Sequence, residues 1–221
     1  MTFPVPTLRA IPDWDAAAQT LINGCSALST PEQRVRFLDR VCFSLGDQLY
    51  PAFLKLLCLV SEHGDDDARR AVAQTLVHAL STGRMPSGRL HAWGGQAIEG
   101  RTAPGHTRSL GPIEYLCAWH AQQSGPEPLP AAAFDRAAKA VVSLVSSDPQ
   151  ARVLYCAKLR QDIDDPLGGS LTRSTRSGLS ALVSAWESGA APDAVVQSLL
   201  EALHGTPWSA LGDARGRWTG A

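Results

Sequence analysis

Lysine is scarce in this chain. Lys55, Lys139 and Lys158 are the only three among 221 residues, and the other 17 of the 20 basic side chains are arginine, a bias that carries no functional weight by itself. Net charge of one sign is also missing. The formal charge is −1, and it is balanced by half: residues 1–125 hold 11 basic and 11 acidic side chains, residues 126–221 hold 9 and 10. No global field therefore draws the chain to nucleic acid or to an anionic membrane. Long hydrophobic runs are lacking too. The most apolar stretch, AFLKLLCLV from Ala52 to Val60, falls far short of the roughly 20 residues that span a bilayer. The opening MTFPVPTLRAIPDW has neither a basic n-region nor an apolar h-region. These features together predict a cytoplasmic chain with no membrane partner.

Cysteine is sparse and unpaired in pattern. Cys25, Cys42, Cys58, Cys117 and Cys156 are odd in number, far apart, and set in apolar helical stretches without any CxxC. That excludes a disulfide framework or a zinc ribbon and predicts buried free thiols. Strand patterning is also wanting: no segment alternates with period two over five or more residues with β-branched enrichment.

What is present is helical spacing with helical punctuation. Asp13 caps a first helix reaching about Leu28. Thr30-Pro31 is an N-cap followed by proline at the first position, ahead of the stripe Val35, Leu38, Val41, Cys42, Leu45 and Leu49. Tyr50-Pro51 breaks that stripe. Ala52 to Val60 is apolar on nearly every side except at Lys55, as a central helix would be. Gly64 ends it, and Asp65, Asp66 and Asp67 favour the positive end of a helix striped by Val72, Leu76, Ala79 and Leu80. Gly111-Pro112 opens another helix with Glu114 in its first turn. Residues 131–147 bury Phe134, Ala138, Val141 and Val145, and Asp148-Pro149 starts a helix running to about Gln161. Leu179, Leu182, Val183 and Trp186 mark the next, stopped by Gly189. Pro192 begins the last, with Val195, Leu199, Leu200 and Leu203 inward.

The fold class is therefore all-α: an antiparallel helical bundle or a short HEAT-like α-solenoid of about eight or nine helices with a long irregular central loop. The solenoid comparison concerns architecture, since no repeat recurs at a fixed period. The expected organisation is one compact domain. Residues 1–122 form an N-terminal helical subdomain including the loop 83–112, residues 123–130 a Pro-rich linker, residues 131–205 a C-terminal helical subdomain, and residues 206–221 a tail with Trp208 and Trp218.

Residues 83–112 stand apart. They contain seven glycines and three prolines, and loops beyond about 12–15 residues are uncommon inside compact domains unless they serve a function or stay disordered. Arg84, Arg89, Arg101 and Arg108 face a single acid, Glu99, with His91, His106 and Trp93 alongside. Bare glycine amides with guanidinium forks suit an anion, and Arg with Trp suits a protein interface. A surface loop packed over the core by Trp93, its arginines solvated, is the plainer alternative. Tyr115, Trp119 and His120 follow on the next helix, Trp119 sharing a face with Tyr115 opposite the Ile113 stripe. That face requires cover from the loop or from a partner.

Several motifs come near to chemistry without completing it. GRTAPGHT, Gly100 to Thr107, matches a phosphate loop except that His106 stands where the lysine belongs, and no strand precedes it or helix directly follows. His91, His106, Glu114, Cys117 and His120 are metal-competent types without a spacing that fixes a geometry. DIDD, Asp162 to Asp165, resembles the DxDD acid motif of some all-α terpene cyclases in a chain too short for that fold. The run DDDAR lacks the DDxxD form that chelates magnesium diphosphate, and DIDD reads as a solvated acidic helix-to-helix turn. Ser170 in LGGSLT lacks a nucleophile elbow, and Cys117 near a helix start is the one cysteine placed for activation.

Three functions follow in order. The first is a non-enzymatic protein–protein interaction module whose contact surface is the Arg/Gly/Trp-rich loop. Its contact residues are Arg84, Arg89, His91, Trp93, Arg101, His106, Arg108, Tyr115, Trp119 and His120, with no catalytic residue, metal or cofactor. The second is an enzyme or small-ligand binder whose loop covers a pocket between helices, Arg101 and Arg108 holding an anionic group and His106 or His120 moving a proton. The third, a nucleic-acid-associated subunit using the same loop, is disfavoured by the balanced charge.

Overall fold

The computed structural model describes residues 13–45, 49–82, 111–121, 131–164 and 173–204. Within them the chain is all-helical, with nine α-helices and no strand. These are α1 (Trp14–Ala27), α2 (Pro31–Ser44), α3 (Leu49–His63), α4 (Asp66–Ser81), α5 (Pro112–Ala121), α6 (Ala131–Ser146), α7 (Pro149–Asp164), α8 (Arg173–Glu187) and α9 (Pro192–His204). Most of the expected central loop, the linker 123–130, the tail 206–221 and the LGGSLT serine lie outside the described residues.

The caps sit where the side chains allow them. The Asp13 carboxylate accepts from the amides of Asp15 and Ala16 at 3.1 and 3.0 Å. The Thr30 hydroxyl accepts from the Gln33 amide, and Asp65 from the Ala68 amide at 2.8 Å. Asp148 does the same for α7, accepting from Gln150 and Ala151 at 2.8 and 2.9 Å. Its other oxygen takes a hydrogen bond from Gln74 Nε2 at 2.6 Å, and Gln74 Oε1 accepts from Arg34. One polar chain thus joins α2, α4 and the α6–α7 corner. Gly189, at φ +82°, adopts the left-handed turn that closes α8.

Two boundaries differ from the spacing-based expectation. Tyr50-Pro51 does not separate two elements: α3 begins at Leu49, with Pro51 in its first turn. Proline is at home there because the amide it lacks would have no intrahelical acceptor. At its other end α7 runs three residues past Gln161, to Asp164.

Packing joins helices one, two and three places apart in the chain, with α8 and α9 the most extensive pair. Helix α1 lies on α4 and α4 on α7, α3 lies on α6 and α6 on α9, and α5 lies on α8. Helices α4 and α6 also pack on each other and form the middle of the body. All nine helices contribute to one hydrophobic cluster, which includes Leu21, Val35, Leu57, Leu76, Leu116, Val141, Leu159, Leu182 and Leu199. Helix α3 is buried from Ala52 to Val60 except at Lys55, whose ammonium sits 4.6 Å from the centre of the Trp14 ring.

A buried carboxyl at the start of helix α5 is the candidate functional site

The first turn of α5 is enclosed on all sides. Gly111, Pro112, Ile113 and Glu114 are all buried, and Glu114 is 0 % exposed. Glutamate at the third helical position favours the positive end of the helix dipole. Here it also lies against the backbone of Gly111. A Cβ at residue 111 would stand 2.8 Å from Glu114 Oε1 and closer still to Oε2, so a larger residue there would have to displace the carboxyl.

Helix α7 supplies the partners. The Tyr155 hydroxyl accepts from the backbone N–H of Ile113 at 3.2 Å and donates to Glu114 Oε2 at 3.0 Å. Its ring meets Trp186 of α8 edge-on, centroids 5.9 Å apart, and Trp186 donates its indole N–H to Ser146 of α6 at 2.9 Å. One turn beyond Tyr155, the Lys158 ammonium donates to Asp162, itself buried at 5 % exposure. Tyr155, Lys158 and Asp162 are spaced three and four apart, so they share one face of α7.

The electrostatics follow from enclosure. Loss of water pushes the Glu114 carboxyl up to about 7, and the Asp162 carboxylate adds to the rise; Lys158, a backbone amide and the Tyr155 hydroxyl pull the other way. Glu114 Oε1 has no hydrogen-bond partner. A carboxyl half-satisfied in this way, with a like charge nearby, favours its proton near neutrality. Such a group has the acidity a general acid or base needs. Being fully covered, it meets only the protein's own backbone and side chains.

Asp162 corrects the reading of DIDD as a solvated acidic turn. Its first aspartate is helical, buried and paired with Lys158, because α7 continues through it; Asp165 lies outside the described residues. Cys117 is a second correction. Far from being activated by the helix start, its thiol is pushed well up by burial and by Glu114. The other thiols follow: burial raises Cys25, Cys58 and Cys156 to about 11 and Cys42 well above the ordinary value. All five cysteines are buried and free.

Of the residues expected to form a contact site, Arg84, Arg89, His91, Trp93, Arg101, His106 and Arg108 lie outside the described residues, as do the side chains of Trp119 and His120 on α5. Tyr115 is in the core, 1 % exposed. Among the described residues no group of three or more His, Cys, Asp or Glu could hold a metal, and no helix is long and apolar enough to cross a membrane.

Sequence reasoning missed Tyr155, Lys158 and Asp162. A signal was available. The buried face of α7 is Ala151, Tyr155, Cys156, Leu159 and Asp162, a helical stripe whose last member is an acid. An ionisable residue at a core position calls for a buried partner, and the only other described acids below 9 % exposure are Glu114 and the capping Asp148. No protein-family model matches the chain, and neither a curated protein nor a solved structure matches it.

Proposed function

We propose that this chain is a non-enzymatic helical scaffold that binds a protein partner through its Arg/Gly/Trp-rich segment 83–112. The observation that carries this reading is how the segment's two ends are fixed. The chain leaves α4 at Thr82, whose amide bonds back to the His78 carbonyl at 3.0 Å, and re-enters at Gly111 and Pro112, both buried, with Gly111 beside Glu114 and the Ile113 amide held by Tyr155. Tethering both ends to packed helices lowers the ordering entropy that a free tail would lose on binding. Arg101, Arg108, Arg84, Arg89 and Trp93 are the residue types that interfaces enrich. His91 and His106 add hydrogen-bonding groups to the same segment.

We further read the body as a short HEAT-like stack, a reading supported by the contacts between helices two apart, α1 with α3, α2 with α4 and α4 with α6. We place it in the cytoplasm, where five free thiols remain reduced. The test is affinity capture with the full chain against two variants, Arg101→Ala with Arg108→Ala, and Trp93→Ala. The expected result is a partner recovered in fixed ratio with the unaltered chain and lost with both variants while their melting temperatures hold. The same partner retained by both would refute the reading. A melting temperature raised by small anions in the unaltered chain and not in the arginine variant would support the small-ligand alternative instead.

A further inference from the structure

Glu114 joins three things that seldom coincide: complete burial, one carboxylate oxygen without a hydrogen-bond partner, and a position in the first turn of a helix whose entry residue touches it. We infer that Glu114 is a proton-operated latch: with the proton on, the carboxyl seats the start of α5 against Tyr155 of α7; with the proton off, that turn loosens and with it the chain entering at Gly111. The inference goes beyond the interaction reading and does not depend on it.

The argument is one of enclosure. When Glu114 carries its proton, Oε2 still accepts from Tyr155, whose hydroxyl also holds the Ile113 amide, and the group is neutral in a dry setting. When it ionises, the charge has the Tyr155 hydroxyl and a backbone amide, shares the Lys158 ammonium with Asp162, and leaves Oε1 without a partner. Relief comes from admitting water, and the cover over Glu114 is the α5 turn and its neighbours.

The surrounding charges are accounted for by element. From α7 come Tyr155, Lys158 and Asp162, the groups that act on Glu114. From α5 itself come Tyr115 and Cys117, both buried; the side chain of His120 lies outside the described residues. On α6, Asp135 and Lys139 pair with each other, Lys139 also reaches Asp193, and Arg136 holds Glu62. On α8, Glu187 pairs with Arg160 and Arg176 reaches the Ile163 carbonyl. Burial, which raises the Glu114 carboxyl to about 7, places the transition near neutral pH.

Amide hydrogen exchange on the full chain tests the latch. Protection of the amides of residues 113–117, corrected for intrinsic exchange, is expected to fall about tenfold or more between pH 5.5 and 8, one pH unit being a factor of ten for a single proton. In Glu114→Gln, which is isosteric and cannot ionise, the fall should vanish. Persistence of the fall in Glu114→Gln would overturn the proposal, and would do so whether the responsible group were His120, Asp162 or another. Should Glu114→Gln not fold, the carboxyl carbon of Glu114 in the unaltered chain, followed by NMR, decides. A midpoint between pH 6 and 8 supports the latch, and one below pH 5 refutes it.

Discussion

Glu114 and Asp162 share the neighbourhood of one ammonium, and Lys158 gives its hydrogen bond to Asp162. Removing that ammonium leaves two carboxyls facing each other across a dry interface. Lys158→Met keeps the length of the stem and deletes the charge. It is expected to destabilise the fold by about 2–4 kcal/mol at pH 8, since breaking a buried ion pair strands the remaining charge. Urea unfolding at pH 8 and pH 5 checks this. The loss should shrink at pH 5, where Glu114 holds its proton. The cysteines give a second expectation at the same scale. A thiolate is the reactive form, and burial raises all five thiols. A thiol-specific disulfide reagent at pH 8 should therefore react with the native chain only as fast as the chain opens, and with five equivalents at once in denaturant.

At the scale of the element, side-chain caps explain where four of the nine described helices begin. Asp148 is the most heavily used: it accepts from two amides of α7 and from Gln74, which reaches on to Arg34. Asp148→Ala should cost about 2–3 kcal/mol, and Thr30→Ala, which loses a single longer bond, about 1 kcal/mol. Thermal unfolding of the two variants side by side ranks them. These same caps made the fold legible in the sequence, because Asp13, Thr30-Pro31, Asp148-Pro149 and Gly189 act over four residues and carry their own chemistry. The stripes of α2, α4, α6, α8 and α9 were legible for a like reason: their apolar residues recur at helical spacing and are buried, except that Leu49 belongs to α3 and Leu200 is only half-buried. Helix α7 was misjudged at its end, and with it the site. Asp162 and Asp164 looked like the close of a helix because charge in a turn is the common case. Asp162 pairs with Lys158 one turn back on the same helix, and what no local pattern shows is that this pair lies beside the buried Glu114 of α5. Glu114 was visible as a first-turn acid, but its partner Tyr155 lies 41 residues away, a separation no local pattern spans.

For the molecule as a whole, proton linkage sets the pH at which it is most stable. Glu114 starts from 4.5 and is raised to about 7 on folding, so between those values the native state holds more protons than the unfolded chain. Stability from this group is complete below about 4.5 and is lost as pH rises toward 7, by about 3 kcal/mol at one pKa unit per 1.4 kcal/mol. Other carboxylates work in the opposite sense. Asp148 is lowered from 3.8 by its backbone and Gln74 hydrogen bonds against the cost of burial, and Glu62 and Glu187 are lowered from 4.5 by Arg136 and Arg160. Their stabilisation is present above those starting values and disappears as pH falls through the native ones. The two slopes meet in mildly acidic solution, so the chain should be most stable near pH 5 and weaker at pH 8, although its net charge at neutrality is only −1. Urea midpoints measured from pH 4 to pH 8 should trace that maximum. In Glu114→Gln the decline on the alkaline side should flatten while the acid side stays as it was. An unaltered chain equally stable at pH 5 and pH 8 would show that Glu114 ionises in place without strain, and the buried carboxyl would then be an ordinary member of the core.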